Sequence, residues 1–237
     1  MIEGVGCAVG GAVLGWAAGW WIHPALGVAM AAVGFVNGAV SGARRIYPWR
    51  TPAGWLAFVL DSTWAALPVF SGLLAHLVAL LRDGGYVPEL SHRQGYHVYR
   101  AGAVPRKGYA MTLGNVVSGA ADVERPRRAE LVRDHEAVHV WQARWLGPLY
   151  LPLYGVWSAF GALVGVPLWL LRGRRHSLGD VVEACSYYMN PFEWWAYSRD
   201  NAWRPHGMCD GVGWKRPMVE SFAERRSRLQ AEGRLPS

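Results

Sequence analysis

No Asp, Glu, Lys or Arg stands between Gly4 and Ala43, and none stands between Trp145 and Leu171. Runs of this kind can bury their backbone in lipid only as helices, which satisfy every peptide group internally. His23-Pro24 divides the first run into residues 5–22 and 25–42. Each half is about 18 residues, or roughly 27 Å at the helical rise, just sufficient to cross the hydrocarbon. Gly11, Gly15 and Gly19 recur at every fourth position in one half, and Gly34, Gly38 and Gly42 in the other. Small residues at that spacing make a flat face on which two helices approach closely. A signal peptide would need a basic N-terminal region and an apolar run half as long. Residues 1–43 therefore read as a transmembrane hairpin.

The polar interruptions become denser afterwards. In residues 52–81 Asp61 and His76 break the apolar run, and Pro68 is expected to bend any helix there. Residues 44–82 read as a membrane-associated region: a third span, a broken span or an amphipathic element at the interface. A carboxylate at membrane depth is a functional candidate by default, although Asp61-Ser62-Thr63 also has the pattern of a helix N-cap. From Gly84 to Ala121 the texture turns β-prone. Tyr96-His97-Val98-Tyr99 and Tyr109-Ala110-Met111-Thr112-Leu113 flank Pro105-Arg106-Lys107-Gly108, which predicts a hairpin, with Asn115-Val116-Val117 extending it. Pro126 opens a helix that runs through Trp145 and is closed by Gly147-Pro148. The apolar stretch to Leu171 follows. A polar tail then carries helices near Asp180–Tyr188, from Phe192, and near Val219–Gln230.

Composition and charge sharpen this outline. Charged residues are 17% of the chain, below the usual quarter, and 14 tryptophans accompany the apolar runs. The net charge of +7 comes mainly from arginine. There is no zinc-finger spacing, RNA-binding aromatic motif or Lys-rich tail, so no nucleic acid partner is expected. Arg44, Arg45 and Arg50, then Arg172, Arg174 and Arg175, flank apolar runs and suit anionic lipid headgroups. Cys7, Cys185 and Cys209 form no CxxC pair and no disulfide framework.

The chemistry concentrates in His135-Glu136-Ala137-Val138-His139. The HExxH spacing sets two imidazoles one turn apart on one helical face, where both can hold the same zinc ion. The intervening Glu136 then lies beside the metal, placed to take a proton from the zinc-bound water that attacks a peptide carbonyl. Leu131, His135, Val138, His139 and Gln142 make one stripe of this helix, with Trp141 and Trp145 on another face. A catalytic zinc wants a third protein ligand and an open fourth position. The downstream candidates are His176, Asp180, Glu183, Glu193 and His206. Glu193 stands out in a Pro-initiated, tryptophan-rich helix start, though an acidic residue there also suits the helix dipole. Glu183, in Asp180-Val-Val-Glu183, is the runner-up.

Three segments resemble the glutamate-ligated zincins, and in particular a group of bacterial members of that class. His135-Glu136-Ala-Val-His139-Val-Trp-Gln142 is similar to their HExxHxxQ. Gly147-Pro-Leu-Tyr-Leu-Pro-Leu-Tyr154 follows it, and Asn190-Pro-Phe-Glu193-Trp-Trp-Ala196-Tyr197 is similar to their NPFExxAY. Thr112-Leu-Gly-Asn-Val-Val117 resembles the strand before their metal helix. The resemblance covers roughly residues 95–200 and implies His135, His139 and Glu193 as ligands and Glu136 as general base. It does not extend to the glycine hairpin and supplies no substrate. Tyr187, Tyr188, Tyr197 and His176 are candidates to stabilise an oxyanion, with Tyr197 favoured because it lies one turn from Glu193. Tyr99 or Tyr109 could flank a substrate added to the sheet as a further strand.

The expected fold is therefore mainly α (α+β): a glycine-zipper transmembrane hairpin, then a zincin-like domain over 83–237 with a small β-hairpin, a metal helix and the apolar helix at 148–171. If 148–171 crossed the bilayer once, His135 and Glu193 would leave it on opposite faces. Either that segment does not span, which is the favoured reading, or the site lies at membrane depth. With 52–81 also not crossing, the positive-inside rule places the catalytic part in the cytoplasm, at a bacterial inner membrane; a single crossing by 52–81 would face it outward. The expected function is a membrane-associated zinc metallopeptidase acting on a peptide or protein substrate. The alternative is a non-catalytic interaction protein with a structural zinc site, which oligomerises through the glycine-zipper helices.

Overall fold

The computed structural model describes residues 2–104, 108–172, 175–201 and 203–236. The expected turn residues Pro105, Arg106 and Lys107, and Arg174 of the second basic cluster, lie outside them. The described residues are mainly helical, with one small three-stranded sheet and two apolar N-terminal helices. The chain folds as two compact units, Met1–Tyr150 and Leu151–Ser237.

The first unit begins with α1 (Ile2–Trp20) and α2 (Pro24–Ala43). His23 caps α2 through its Nδ1, and Pro24 supplies the first helical φ. The glycine faces meet each other. A Cβ on Gly34 would fall well under 3.0 Å from the Gly11 carbonyl, and one on Gly38 equally close to the Cys7 carbonyl. Side chains on the opposite faces, among them Val5, Val9, Val13, Val28 and Phe35, remain more than half exposed.

Next come α3 (Pro52–Ser62) and α4 (Ala66–Leu81), bent by 88° across Thr63-Trp64-Ala65. Pro68 does not cause this bend. It sits in the first turn of α4, where its missing N–H costs nothing. Asp61 is not a cap either: it lies inside α3, and Ala65 precedes α4 with no side-chain cap bond.

Strands β1 (His97–Val98), β2 (Met111–Leu113) and β3 (Val116–Ser118) form a sheet in the order β1-β3-β2. The expected hairpin between 96–99 and 109–113 is not formed. β2 pairs antiparallel with β3 and β3 pairs parallel with β1. The reason is local. Gly114, at φ 55°, and Asn115 make a two-residue turn between β2 and β3. Val116 and Val117, 0% exposed, take the central strand.

The helical run from Pro126 holds α5 (Pro126–Glu130), a π-helical segment (Leu131–Glu136) and α6 (Ala137–Leu146). Val132 and Val140 key it into a core with Val87, Leu90, Tyr96, Val98 and Val117. Gly147, at φ 54°, ends α6 against the Trp64 indole, which donates to the Trp145 carbonyl.

Helix α7 (Tyr150–Leu171), in the second unit from Leu151 onward, is one 22-residue apolar helix that accommodates Pro167 internally. A return limb follows: α8 (Leu178–Glu183), a second π-helical segment (Ala184–Tyr188) and α9 (Pro191–Arg199). It runs antiparallel to α7. Gly165 faces Val182, Gly161 faces Cys185, Asn190 meets Ser158 and Tyr154 meets Glu193. The last helix is α10 (Phe222–Ala231), opened by a Ser221–Glu224 capping box.

Among the described residues three helical runs are long and apolar enough to cross a membrane, Ile2–Trp20, Pro24–Ala43 and Pro126–Leu171; counting the bent α3/α4 pair as one span makes four. The two solutions expected for the 148–171 segment, non-spanning or a site at membrane depth, are joined by a third. The return limb brings residue 193 back beside residue 154, so α7 can be long and apolar without carrying Glu193 away from its first turn.

Candidate metal centre

His135 lies near the end of the π-helical segment and His139 follows in α6; the residues are 2% and 5% exposed. Their Nε2 atoms stand 3.2 Å apart, with the ring planes at 76°. Two nitrogens about 2.0–2.1 Å from one tetrahedral ion are separated by about 3.3 Å, so the pair has the spacing of co-ligands. The second nitrogen of His139 is held from behind. Its Nδ1 lies 2.8 Å from Gln142 Oε1 and 3.3 Å from the Tyr150 hydroxyl. With Gln142 as acceptor the proton sits on Nδ1 and the Nε2 lone pair is presented outward.

Glu193 enters from the first turn of α9, in a helix start that its own sequence builds. Asn190 Oδ1 accepts from the Phe192 amide and Pro191 supplies N1. The following segment grips α9: Trp214 stacks on Trp194 at 4.1 Å, and Ser198 Oγ accepts from the Met218 amide. Glu193 is 3% exposed, and its Oε1 accepts a 2.7 Å hydrogen bond from Tyr154.

His135, His139 and Glu193 are buried, and one ligand atom from each lies within 4.8 Å of the others, so the group can hold a metal ion. Two imidazoles and a carboxylate leave a four-coordinate ion one further position, the donor set of an open site. Among the described residues Glu183, His176, Asp180 and His206 are not members of this group. His176 instead accepts through its carbonyl from the Trp169 indole.

Glu136, 5% exposed, follows His135 directly, and its Oε2 accepts from Thr112 Oγ1 at 2.6 Å. The helical run that carries His135 and His139 and strand β2 are therefore linked through this carboxylate. The Tyr197 hydroxyl lies 3.4 Å from that of Tyr187, whose pKa is pushed well above the usual phenol value by burial and then by the Glu193 charge. Tyr109 is half-buried ahead of β2, whereas Tyr99 is buried against His76 and Arg44.

Sequence reasoning missed the supporting residues Thr112, Tyr150 and Tyr154. Their segments were singled out by resemblance, but nothing local marks a tyrosine on an apolar helix as a partner of a ligand. It also missed the two π-helical segments, one carrying His135 and one just ahead of α9, a geometry frequent at functional sites and invisible to a 3.6-residue pattern. Comparison of the chain with protein-family models, curated proteins and solved structures gives no match.

Proposed function

We propose that the protein is a membrane-associated zinc metallopeptidase of the glutamate-ligated zincin type, with His135, His139 and Glu193 as the metal ligands. The observation that carries this reading is the buried pair of imidazole Nε2 atoms 3.2 Å apart, joined by a single carboxylate and accompanied in sequence by Glu136. Zinc held by such a set supplies Lewis acidity, acidifying a water and polarising a carbonyl oxygen.

The chain's own residues supply the rest. Gln142 and Tyr150 orient His139, and Tyr154 orients Glu193. Glu136 is the general base: Thr112 fixes one of its oxygens, so the carboxylate accepts and hands on a proton without reorienting. Strand β2 forms the edge of the sheet beside β3, where an extended peptide can add by backbone pairing. Tyr197 lies one turn beyond Glu193, its hydroxyl 3.4 Å from that of Tyr187, and we assign Tyr197 to oxyanion stabilisation. The apolar outer faces of α1, α2 and α7 seat the protein in a bilayer. A bent α3/α4 pair that enters and leaves on one side keeps the site on the side of Arg44 and Arg45, the cytoplasm.

A second reading, a structural zinc site in a non-catalytic membrane protein, draws on the near-complete burial of the ligands and Glu136. One comparison separates the two. Full-length protein in detergent should carry about one zinc per chain and lose it in His135→Ala and His139→Ala. Glu136→Gln should retain zinc yet lose hydrolysis of a peptide library by on the order of a hundredfold or more. A folded wild-type protein without zinc would end the metal reading; wild-type hydrolysis unaffected in Glu136→Gln would end the catalytic one.

A further inference from the structure

Asp61 is the carboxylate that the apolar pattern of 52–81 leaves unexplained. In the fold it forms a two-pronged ion pair with Arg144: Nε meets Oδ1 and Nη2 meets Oδ2, each at 2.8 Å, with side chains 1% and 2% exposed. Asp61 Oδ2 also accepts from the Tyr47 hydroxyl at 3.0 Å and lies 3.5 Å from Asn115 Nδ2. Arg144 also donates to the Gly95 carbonyl and lies 5.0 Å from the Trp141 ring.

The partners matter more than their number. Arg144 belongs to α6, five residues beyond His139. Asn115 belongs to the two-residue turn that ends β2, three residues beyond Thr112, which holds Glu136. One carboxylate thus grips the helix that carries a metal ligand and lies against the turn that ends the strand holding the base, a turn that Asn115 Nδ2 anchors by donating to Asn37 Oδ1 at 2.9 Å. A buried ion pair is a poor source of net stability, because desolvation offsets its attraction, but its geometry is directional. The planar guanidinium fork sets the rotation and axial position of α6 in a way that apolar packing does not.

We infer that Asp61 and Arg144 are a positioning pair, holding the metal helix α6 in register with strand β2 so that His139 and Glu136 address the same ion. The inference rests on the metal-site reading above. It is tested on full-length protein in detergent by two measurements: zinc affinity by chelator competition, and the thermal midpoint of the metal-free form. The Asp61→Asn/Arg144→Gln double variant removes both charges together and keeps hydrogen-bonding groups at both positions. Its zinc affinity should fall by about tenfold or more, the scale on which groups supporting metal ligands act. Gly34→Ala, whose Cβ would meet the α1 backbone at Gly11 and Ala12, should lower the midpoint and leave zinc affinity unchanged. Should the double variant not fold, Arg144→Lys replaces it, since it keeps the charge and removes the fork.

Wild-type zinc affinity in a folded double variant, or in Arg144→Lys, overturns the inference. So does an equal loss of affinity in Gly34→Ala, which would make the effect one of general stability. A wild-type protein that binds no zinc overturns the metal-site reading and the inference with it, whereas wild-type binding with unchanged variants overturns the inference alone.

Discussion

Around His139 the side chains divide the work between holding and orienting. Gln142 Oε1 at 2.8 Å fixes which nitrogen carries the proton, and Thr112 Oγ1 at 2.6 Å fixes the Glu136 carboxylate. The two contacts should be separable by mutation. Gln142→Leu removes the acceptor behind His139 and should weaken zinc binding about 10–100-fold, read by chelator competition. Thr112→Val keeps the shape but removes the hydroxyl. On the proposed zinc-peptidase reading it should leave zinc content intact while lowering kcat, with little change in KM. A zinc loss in Thr112→Val equal to that in Gln142→Leu would show that Thr112 supports the ligands rather than the base.

The helical elements are built on close approach rather than on bulky packing. Where α1 and α2 cross, a Cβ on Gly34 would collide with the Gly11 backbone, whereas one on Gly6 would meet nothing within 4 Å. Gly34 belongs to the every-fourth-residue stripe of α2 whereas Gly6 lies off the Gly11-Gly15-Gly19 stripe of α1, so the spacing ranks the two as the contacts do. Gly34→Ala should destabilise the protein by about 1–3 kcal/mol, the usual cost of overpacking. Gly6→Ala should be neutral or slightly stabilising, because alanine orders a helix more readily than glycine. Thermal midpoints of both variants in one detergent check this, and equal losses would contradict a close backbone contact at Gly34 with open space at Gly6. Elements were legible to different depths. α1 and α2 follow from their apolar runs and the His23-Pro24 break. The order of the sheet strands does not, because Tyr96–Tyr99 and Tyr109–Leu113 look equally able to pair until the Gly114-Asn115 turn commits β2 to β3.

At the scale of the molecule, the first unit contains a buried polar seam that an apolar chain ordinarily avoids. His97, 0% exposed, sits between Ser41 Oγ at Nε2 (3.0 Å) and the Tyr86 hydroxyl at Nδ1 (3.3 Å). His76 packs edge-on to it at 4.4 Å, and Arg44 lies over the Tyr86 ring. Burial, then the charges of His76, Arg44 and Arg144, hold its pKa well below the ordinary 6.5. The unfolded chain therefore binds a proton below about pH 6.5 that the folded chain refuses. Stability is full above that pH and declines as the pH falls below it. Metal-free protein in detergent should lose thermal stability between about pH 6.5 and 5, and His97→Gln should flatten this slope. A slope unchanged in His97→Gln would assign the loss to other groups. Chelator is needed throughout, since acidification also strips a metal from histidine ligands.

What the sequence determined by itself is the local part of this design. The i, i+4 spacing of His135 and His139 needs only one helix turn, and Asn190-Pro191 needs only its own backbone to open α9 under Glu193. The apolar runs determined that α1 and α2 are helices of membrane length, because a backbone in lipid has few alternatives, whereas it took the structure to show α7 as one unbroken helix across Pro167. Only the tertiary structure decided how distant pieces are used. It made Asp61 a partner of Arg144 rather than a cap, through a contact 83 residues apart in the chain. It turned the chain back along α7, where Gly161 and Gly165 allow close packing, so that Tyr154 meets Glu193. Spacing within one turn is read from covalent geometry, whereas pairing across a fold depends on which surfaces pack, and packing is a property of the whole chain.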